Sequence, residues 1–355
     1  MGNEYIQEDV QILYSSAPQS AVNTPITVGA SFKSALVDAF PPTFPTPQFV
    51  DDSDQVGDGS EFPRWVRLYR WGIGFSLGMK LNTELALVLI ARALGGTITN
   101  TVVTATTSWD HLVIMQKRSQ GRIPKATTFL LPLIGAADFL LADIFVNSFT
   151  ISQTGDAMPT VQFQLVGTGL HAKPHGVTSL PNPITDTPVH HYFHGAALGF
   201  VLNDGSVRDL SSDGRNLSWS LDFQNNIVIS NRVGDSFMTA GDLASGAYSK
   251  NVIHGKRRTV LNYRDTLGDT LNQWSWLINT TALTGIALLN KGMDKINVTD
   301  RYELEMRVPI GQLNALGGTQ DNNILALDNG ILALKDVTSE GLLTARGRND
   351  QATLT

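Results

Sequence analysis

Residues 51–62 read DDSDQVGDGSEF, with four aspartates, a glutamate and two glycines in one stretch. Carboxylates at this density invite a cation. An EF-hand calcium loop needs oxygen ligands at positions 1, 3 and 5, glycine at 6 and a bidentate glutamate at 12. Counted from Asp52, Asp54 and Gly57 take the third and sixth places, but the fifth is Val56 and the twelfth is Pro63. Charge is missing where calcium needs it. A looser cation site is the weaker reading, and a shaped acidic surface loop the stronger.

Histidine offers a second chemistry. His171, His175, His190, His191 and His194 lie close together in the chain. Pro174 between His171 and His175 breaks the helix that a zinc HExxH motif requires. No acidic third ligand or general base stands nearby, as a hydrolytic zinc site would need. The bland reading is a polar linker, and a pH-sensitive contact stays open because imidazole titrates near neutrality. The chain has no cysteine, which excludes thiolate zinc sites, disulfides and cysteine nucleophiles. Gly72, Gly74 and Gly78 miss the GxGxxG spacing and lie inside a strand pattern. They are expected to let another layer approach that strand. Glu303 and Glu305 alternate with Arg301 and Arg307, which reads as an ion-pairing surface rather than an acid/base dyad. No residue is assigned a catalytic, cofactor-binding or metal-binding role.

Composition narrows the class further. Only 16% of the 355 residues are charged, against an ordinary share of about 25%. A low-charge chain rich in Gly, Thr, Asn and Ser suits a β-rich protein whose surfaces other subunits cover. The net charge of −6 is spread evenly, with 11 Lys/Arg against 14 Asp/Glu before residue 181 and 15 against 18 after it. Tight phosphate binding needs clustered cations. The densest runs are Arg64, Arg67 and Arg70, and Lys256, Arg257 and Arg258, both in strand-like segments. Nucleic-acid binding as the main activity is therefore disfavoured. The polar, acidic start MGNEYIQEDVQ is no secretory signal, and the longest apolar run, near Leu85–Leu94, is too short for a bilayer. A soluble, cytoplasmically made protein without membrane insertion is expected.

These residues need elements to place them. Residues 1–48, rich in Ser, Thr and Pro, read as an extended arm. Trp65, Tyr69, Trp71, Ile73, Phe75 and Leu77 share one parity and predict a long strand. LNTELALVLIARALGG follows as a helix, with Asn82 or Thr83 as cap, Glu84 in its first turn and Gly95 as stop. That helix is apolar nearly all round and must be buried. Short strands follow, joined by a hairpin at ISQTGDAMPT. Residues 49–170 form one β unit, and the Pro- and His-rich stretch 171–194 is a linker.

A second unit spans residues 195–342. KRRTVLNYRD reads as a strand. Asp269 caps a helix with Leu271, Trp274, Leu277 and Ile278 on one face, and LTGIALLN and RYELEMRVPI follow as strands. Each half thus shows strand, helix, strands. This recurrence of pattern, not of residue identity, leads to the expectation of a duplicated unit. ILALDNGILAL predicts a hairpin turning at Asp328-Asn329-Gly330. Residues 343–355 are expected as a polar tail. The fold class is mainly β (α+β), a sandwich or barrel of two packed antiparallel sheets with a flanking helix.

The order of features resembles the major tail tube proteins of long-tailed bacteriophages. The resemblance rests on DQVGDGSEFPRW leading into the long strand and LALVLIARALGG, on DIFVNSFTISQTGDAMPTVQFQLVGTG, and on LSWSLDFQNNIVISNRVGD with GKRRTVLNY. Together these cover roughly residues 50–310, and no single motif among them is diagnostic. The resemblance implies subunits that join their inner sheets into a barrel-like ring. The rings stack into a tube through which DNA passes without specific binding, in a virion tail made in the host cytoplasm. It implies six copies per ring, or three copies of a two-domain chain with pseudo-sixfold symmetry, and the duplicated pattern here favours three. Tape measure, terminator and baseplate proteins would be the partners, with no cofactor. On this reading Asp51, Asp52, Asp54, Asp58 and Glu61 form an assembly contact that meets Arg257 or Arg258 of a neighbour. The arm at Phe40–Phe49 and the loop at Thr154–Met158 are further contacts, and the lumen is expected to be acidic. The rivals are another virion β-sandwich, such as a decoration or receptor-binding protein, and more remotely a metal-dependent enzyme using the histidines.

Overall fold

Period-two alternation of apolar and polar residues dictates strands, and the computed structural model is mainly β with antiparallel pairing throughout. It describes residues 12–29, 31–35, 37–38, 46–51, 66–96, 98–104, 107–115, 124–133, 137–172, 193–202, 207–209, 216–230, 251–267, 272–321, 324–335 and 341–353. The first half holds β1 (Ile12–Ser15), β2 (Phe32–Ala35), β3 (Thr46–Asp51), β4 (Val66–Lys80), α1 (Leu85–Leu94), β5 (Ile98–Thr104), β6 (Ser108–Ile114), β7 (Thr127–Leu133), β8 (Ala137–Thr154), β9 (Thr160–Gly167) and β10 (His171–Ala172). The second holds β11 (Phe193–Leu202), β12 (Val207–Asp209), β13 (Asn216–Gln224), β14 (Ile227–Ser230), β15 (Asn251–His254), β16 (Arg258–Thr266), α2 (Asn272–Ile278), β17 (Ala282–Lys295), β18 (Arg301–Asp321), β19 (Ile324–Leu334) and β20 (Thr344–Asn349).

One pairing plan occurs twice. β4 leads through α1 to β7, then to the long strand β8, and β9 returns to pair with β4. β16 leads through α2 to β17, then to the long strand β18, and β19 returns to pair with β16. Each helix packs on the long strand of its own half, α1 on β8 and α2 on β18. An outer strand precedes each set, β3 on β4 and β13 on β16. The halves join where β8 pairs with β13, which gives the strand order β3–β4–β9–β8–β13–β16–β19–β18.

Register makes this sheet two-faced. One row across seven strands reads Met79, Val161, Ile151, Leu221, Leu261, Ile331 and Leu313, all buried. The next row reads Lys80, Thr160, Ser152, Ser220, Asn262 and Gly330. A side-chain period of two sends each row wholly to one face, so a one-residue slip would invert the sheet.

The long strands serve two ladders each. The N-terminal part of β8 lies between β7 and β10, and its C-terminal part between β9 and β13. A register shift between Val146 and Ser148 separates the two parts. Such a bulge re-aims side chains: Val146 joins the main core, whereas Phe145 packs with Ala126 and Ile227 in a separate cluster. β18 behaves alike, flanked by β17 and β20 early and by β19 late, with its shift between Leu313 and Ala315.

Every residue of α1 is buried, against β8 beneath and β20 and β6 above. Asn82 Oδ1 accepts the N–H groups of Glu84 (3.2 Å) and Ala86 (3.1 Å), which satisfies donors the first turn leaves free. Glu84 occupies the cap position with no side-chain cap bond and is not the first-turn acid expected; of Asn82 and Thr83, Asn82 is the residue that caps. Gly95 closes the helix at φ 69°, its N–H donating to Ala91 O and Arg92 O. Arg92 is the polar exception inside. It donates from Nη1 to Thr127 Oγ1 (2.8 Å) and from Nη2 to the carbonyls of Ser15 (2.6 Å) and Ser16 (2.7 Å). Burial pulls its pKa down to about 10.

Five expectations change. Asp328-Asn329-Gly330 is not a turn: it lies in the middle of β19, with β16 and β18 hydrogen-bonded on either side. Gly330 serves closeness there, since a Cβ would stand 3.1 Å from Ala315 Cβ and 3.4 Å from Asn262 Oδ1. The expected polar tail contributes β20, inserted between β18 and β6, because its arginines find carboxylates on both neighbours. Part of the expected arm is core: Ile12, Leu13, Tyr14 and Phe32 are buried, and β1 pairs with β2 and β7. The glycine face of β4 receives no other layer among the described residues, for a Cβ on Gly78 would meet nothing within 4 Å. Finally, α2 does not bury the expected face. Trp276 and Leu277 pack inward, while Trp274 is 56% and Ile278 62% exposed. Asp269 and Leu271 lie outside the described residues.

Candidate assembly interface

Three surfaces of the folded chain carry organised polar, edge or charged groups. The first is the polar face of the long sheet. Its rows present Ser, Thr, Gln, Asn and Gly side by side, with few charges. Asp222 accepts from Thr150 Oγ1 (2.7 Å) and Asn262 Nδ2 (3.1 Å). Arg264 pairs with Asp328 at 2.7 Å. With Lys80 and Arg258 as the other cations on this face, the described part is nearly neutral rather than acidic.

The second surface is the pair of sheet ends. Among the described residues β3 pairs only with β4, and β18 beyond Gln312 pairs only with β19. The seam inside the chain shows what such an edge accepts. There the C-terminal part of β8, from Ser148 to Thr154, is completed by β13 over seven consecutive residue pairs. β18 stands to the second half as β8 stands to the first. The other end differs from β13: β3 pairs with Val66–Gly72 of β4, ahead of the Ile73–Lys80 stretch that β9 covers, whereas β13 and β19 flank one stretch of β16. Open edges carry unpaired N–H and C=O groups, and proteins blunt them with proline and charge. β3 contains Pro47 and ends on exposed Asp51.

The third surface is the ion-pair cluster on β6, β20 and β18. Arg348 donates from Nε to Asp110 Oδ1 (2.6 Å), and Arg346 from Nη1 to Asp110 Oδ2 (3.1 Å) and from Nε to Glu305 Oε2 (2.9 Å). Glu303 lies 3.5 Å from Arg348 and 3.6 Å from Arg346. Burial pushes the Asp110 carboxyl up, but bonds and charge from Arg348 and Arg346 outweigh it and hold it below the usual range. Leu112, Glu305, Arg307, Thr344 and Arg346 line a shallow pocket beside the cluster. The alternating charges of β18 are therefore matched within the chain.

Of the residues expected at the contact, Asp51 ends β3, while Asp52, Asp54, Asp58 and Glu61 lie outside the described residues, as do His175, His190 and His191. Arg258 is exposed at the start of β16. Arg257 is half-buried and donates from Nη1 to Leu94 O (3.4 Å), and burial lowers its pKa. It is thus engaged with the end of α1 in its own chain. The loop expected at Thr154–Met158 is the β8–β9 turn, with Gly155 at φ 56° and Met158 exposed. Sequence reasoning missed Asp143, a buried carboxylate at φ 55°. Asp143 accepts from Gln19 Nε2 (2.9 Å), Asn23 N (2.8 Å) and Thr168 Oγ1 (2.8 Å), and burial raises its pKa above the ordinary value. The isolated letter D between apolar residues carried no signal of this. It ties residues 19–23 to β8.

Among the described residues there is no group of three or more His, Asp or Glu able to hold a metal, and no helix long and apolar enough to cross a membrane. No model of a known protein family matches the chain, and no curated protein matches its sequence.

Proposed function

We propose that the chain is a structural, self-assembling subunit of a virion tail tube, whose rings form by edge-to-edge continuation of the long sheet. The observation that carries this reading is the seam. β8 is completed by β13 within the chain, and among the described residues the same construction leaves the late part of β18 at one end of the sheet and β3 with Ile73–Lys80 of β4 at the other. Adding the outer edge of a second copy's first half to β18 would continue the sheet as β13 continues β8. The order of features shared with tail tube proteins supports the same reading. Two repeats per chain favour a ring of three copies with pseudo-sixfold symmetry.

In such a ring the core row faces the helices and outer strands, and the polar face turns to the lumen. A lumen of hydroxyl and amide groups gives passing DNA few fixed cations. Clustered lysines and arginines are what hold a phosphate backbone. Mobility of DNA would thus come from sparse, partly paired charge, rather than from the acidic lining expected from net charge.

Negative-stain microscopy of concentrated protein tests the proposal. Hollow tubes with a regular ring repeat are expected. Discrete particles that never polymerise at any concentration would favour a decoration or receptor-binding role instead.

A further inference from the structure

α1 and α2 hold equivalent places, yet one is wholly buried and the other is not. α1 is covered on its outer side by β20 and β6, elements that hang from β18 in the other half of the chain. Contact there is so close that a Cβ on Gly347 would overlap the Leu87 side chain. α2 has no such cover among the described residues. Trp274 and Ile278, four residues apart and so on one helix face, are more than half exposed. Leu267 (40% exposed) and Leu325 (61%) lie at the sheet rim that precedes α2 in the chain, joined by the Leu267 N–H to Leu325 O bond at 2.8 Å. Exposed large apolar side chains gathered on one helix face suit an interaction site.

The repeat supplies its occupant. β20 follows β19 and pairs with the early part of β18, and β10 follows β9 and pairs with the early part of β8. β10 is therefore the counterpart of β20. The seam β8–β13 brings β20 of the second half over α1 of the first. A copy joined at β18 with the relation that joins the two halves would bring its own β10 over α2, and Leu325 stands beside that edge, since it pairs with Gln320 in the late part of β18. We infer that the exposed face of α2 is a docking surface for the β10 region of a second copy of this chain. The inference rests on the ring reading above and specifies which surfaces meet beside the sheet edge.

The cysteine-free sequence makes the test clean. A chain carrying Ile278→Cys and Ala172→Cys is treated with a short bismaleimide, dilute and assembled. The expected result is a ladder of covalent dimers and higher species from the assembled protein and none from the dilute one. Tubes that form without a ladder overturn the docking surface and leave the tube reading standing. A chain that never associates overturns both. As a second measurement, Trp274→Glu is expected to raise the concentration needed for assembly about tenfold or more, with the urea midpoint of the monomer unchanged. Assembly at the wild-type concentration overturns the inference.

Discussion

Phe149 and Phe223 stand opposite each other on β8 and β13, their rings stacked with centroids 5.0 Å apart at 25°. The pair sits at the seam between the two repeated halves, and both rings are buried. Phe163 leans on Phe149 from the next strand at 5.9 Å. Phe223→Ala therefore opens a cavity at the point where the halves share one core. A loss of about 3–5 kcal/mol is expected, read from urea denaturation. A single transition should persist, because the row of core residues crosses the seam without a break; separate unfolding of two halves would contradict this.

Arg92 joins the helix to the N-terminal strand through the carbonyls of Ser15 and Ser16, and to β7 through Thr127 Oγ1. Lysine cannot reproduce the planar fork. Arg92→Lys is expected to cost about 2–4 kcal/mol, the range for disturbing a buried charged hydrogen-bonded group. Hydrogen exchange at Leu13 and Tyr14 should quicken before the rest of the sheet opens. Unchanged exchange there would show that β1 is held by packing alone.

Asp143 gives a pH signature of definite sign. Its folded pKa lies above the ordinary 3.8 because burial disfavours the charge. The folded state then holds its proton more tightly than the unfolded chain, so this group's contribution falls as pH rises from about 4 through the folded pKa. Asp143→Asn removes that slope and keeps a residue tolerant of positive φ. The stability of the variant minus wild type should grow from acid to neutral pH, measured as urea midpoints between about pH 4 and 7. A constant difference would sink the argument.

Gly347 and Leu87 should behave as one unit. Gly347→Ala forces a methyl group into Leu87, an overpacking worth about 1–3 kcal/mol. Leu87→Ala alone leaves a cavity worth about 2–5 kcal/mol. The double variant should lose less than the two losses added, since each change relieves the other. Additive losses in a double-mutant cycle would mean that β20 simply shifts away from α1.

Arg264 and Asp328 supply a contrasting case. Their side chains are 35% and 48% exposed, and exposed pairs contribute about 0–1 kcal/mol. Arg264→Gln is expected to shift the urea midpoint little, and a large loss would mean that this face is less open to solvent than its exposure indicates.

Much of this architecture is legible in the sequence because it follows local rules. Alternation marks β4, β9, β13, β16 and the start of β18. Asn82 and Gly95 bracket α1, and the apolar circumference of α1 announces burial. The recurrence of strand, helix and strands anticipates the repeated pairing plan. What escaped depends on distant partners. Asp328-Asn329-Gly330 carries every local mark of a turn, yet Arg264 and Gly317 wait on either side to accept it as strand. Arg346 and Arg348 look like tail residues until Asp110, more than two hundred positions away, is placed beside them. The helical spacing of Trp274 and Ile278 is real, but spacing says nothing about whether the cover lies in the same chain. Likewise the edges proposed for assembly depend on which strands lack neighbours among the described residues, a property of the whole sheet.

The position of β20 sets a clock on biosynthesis. Arg348 and Asp110 are 238 residues apart in the chain, and ribosomes add about 5–20 residues per second. For some tens of seconds after β6 emerges, α1 has no β20 above it. A nascent chain in that interval leaves the outer side of a helix that is apolar but for Arg92 uncovered, a ready target for a holdase chaperone. β18 is completed only shortly before β20, so the strand that anchors β20 and the strand that covers α1 arrive almost together.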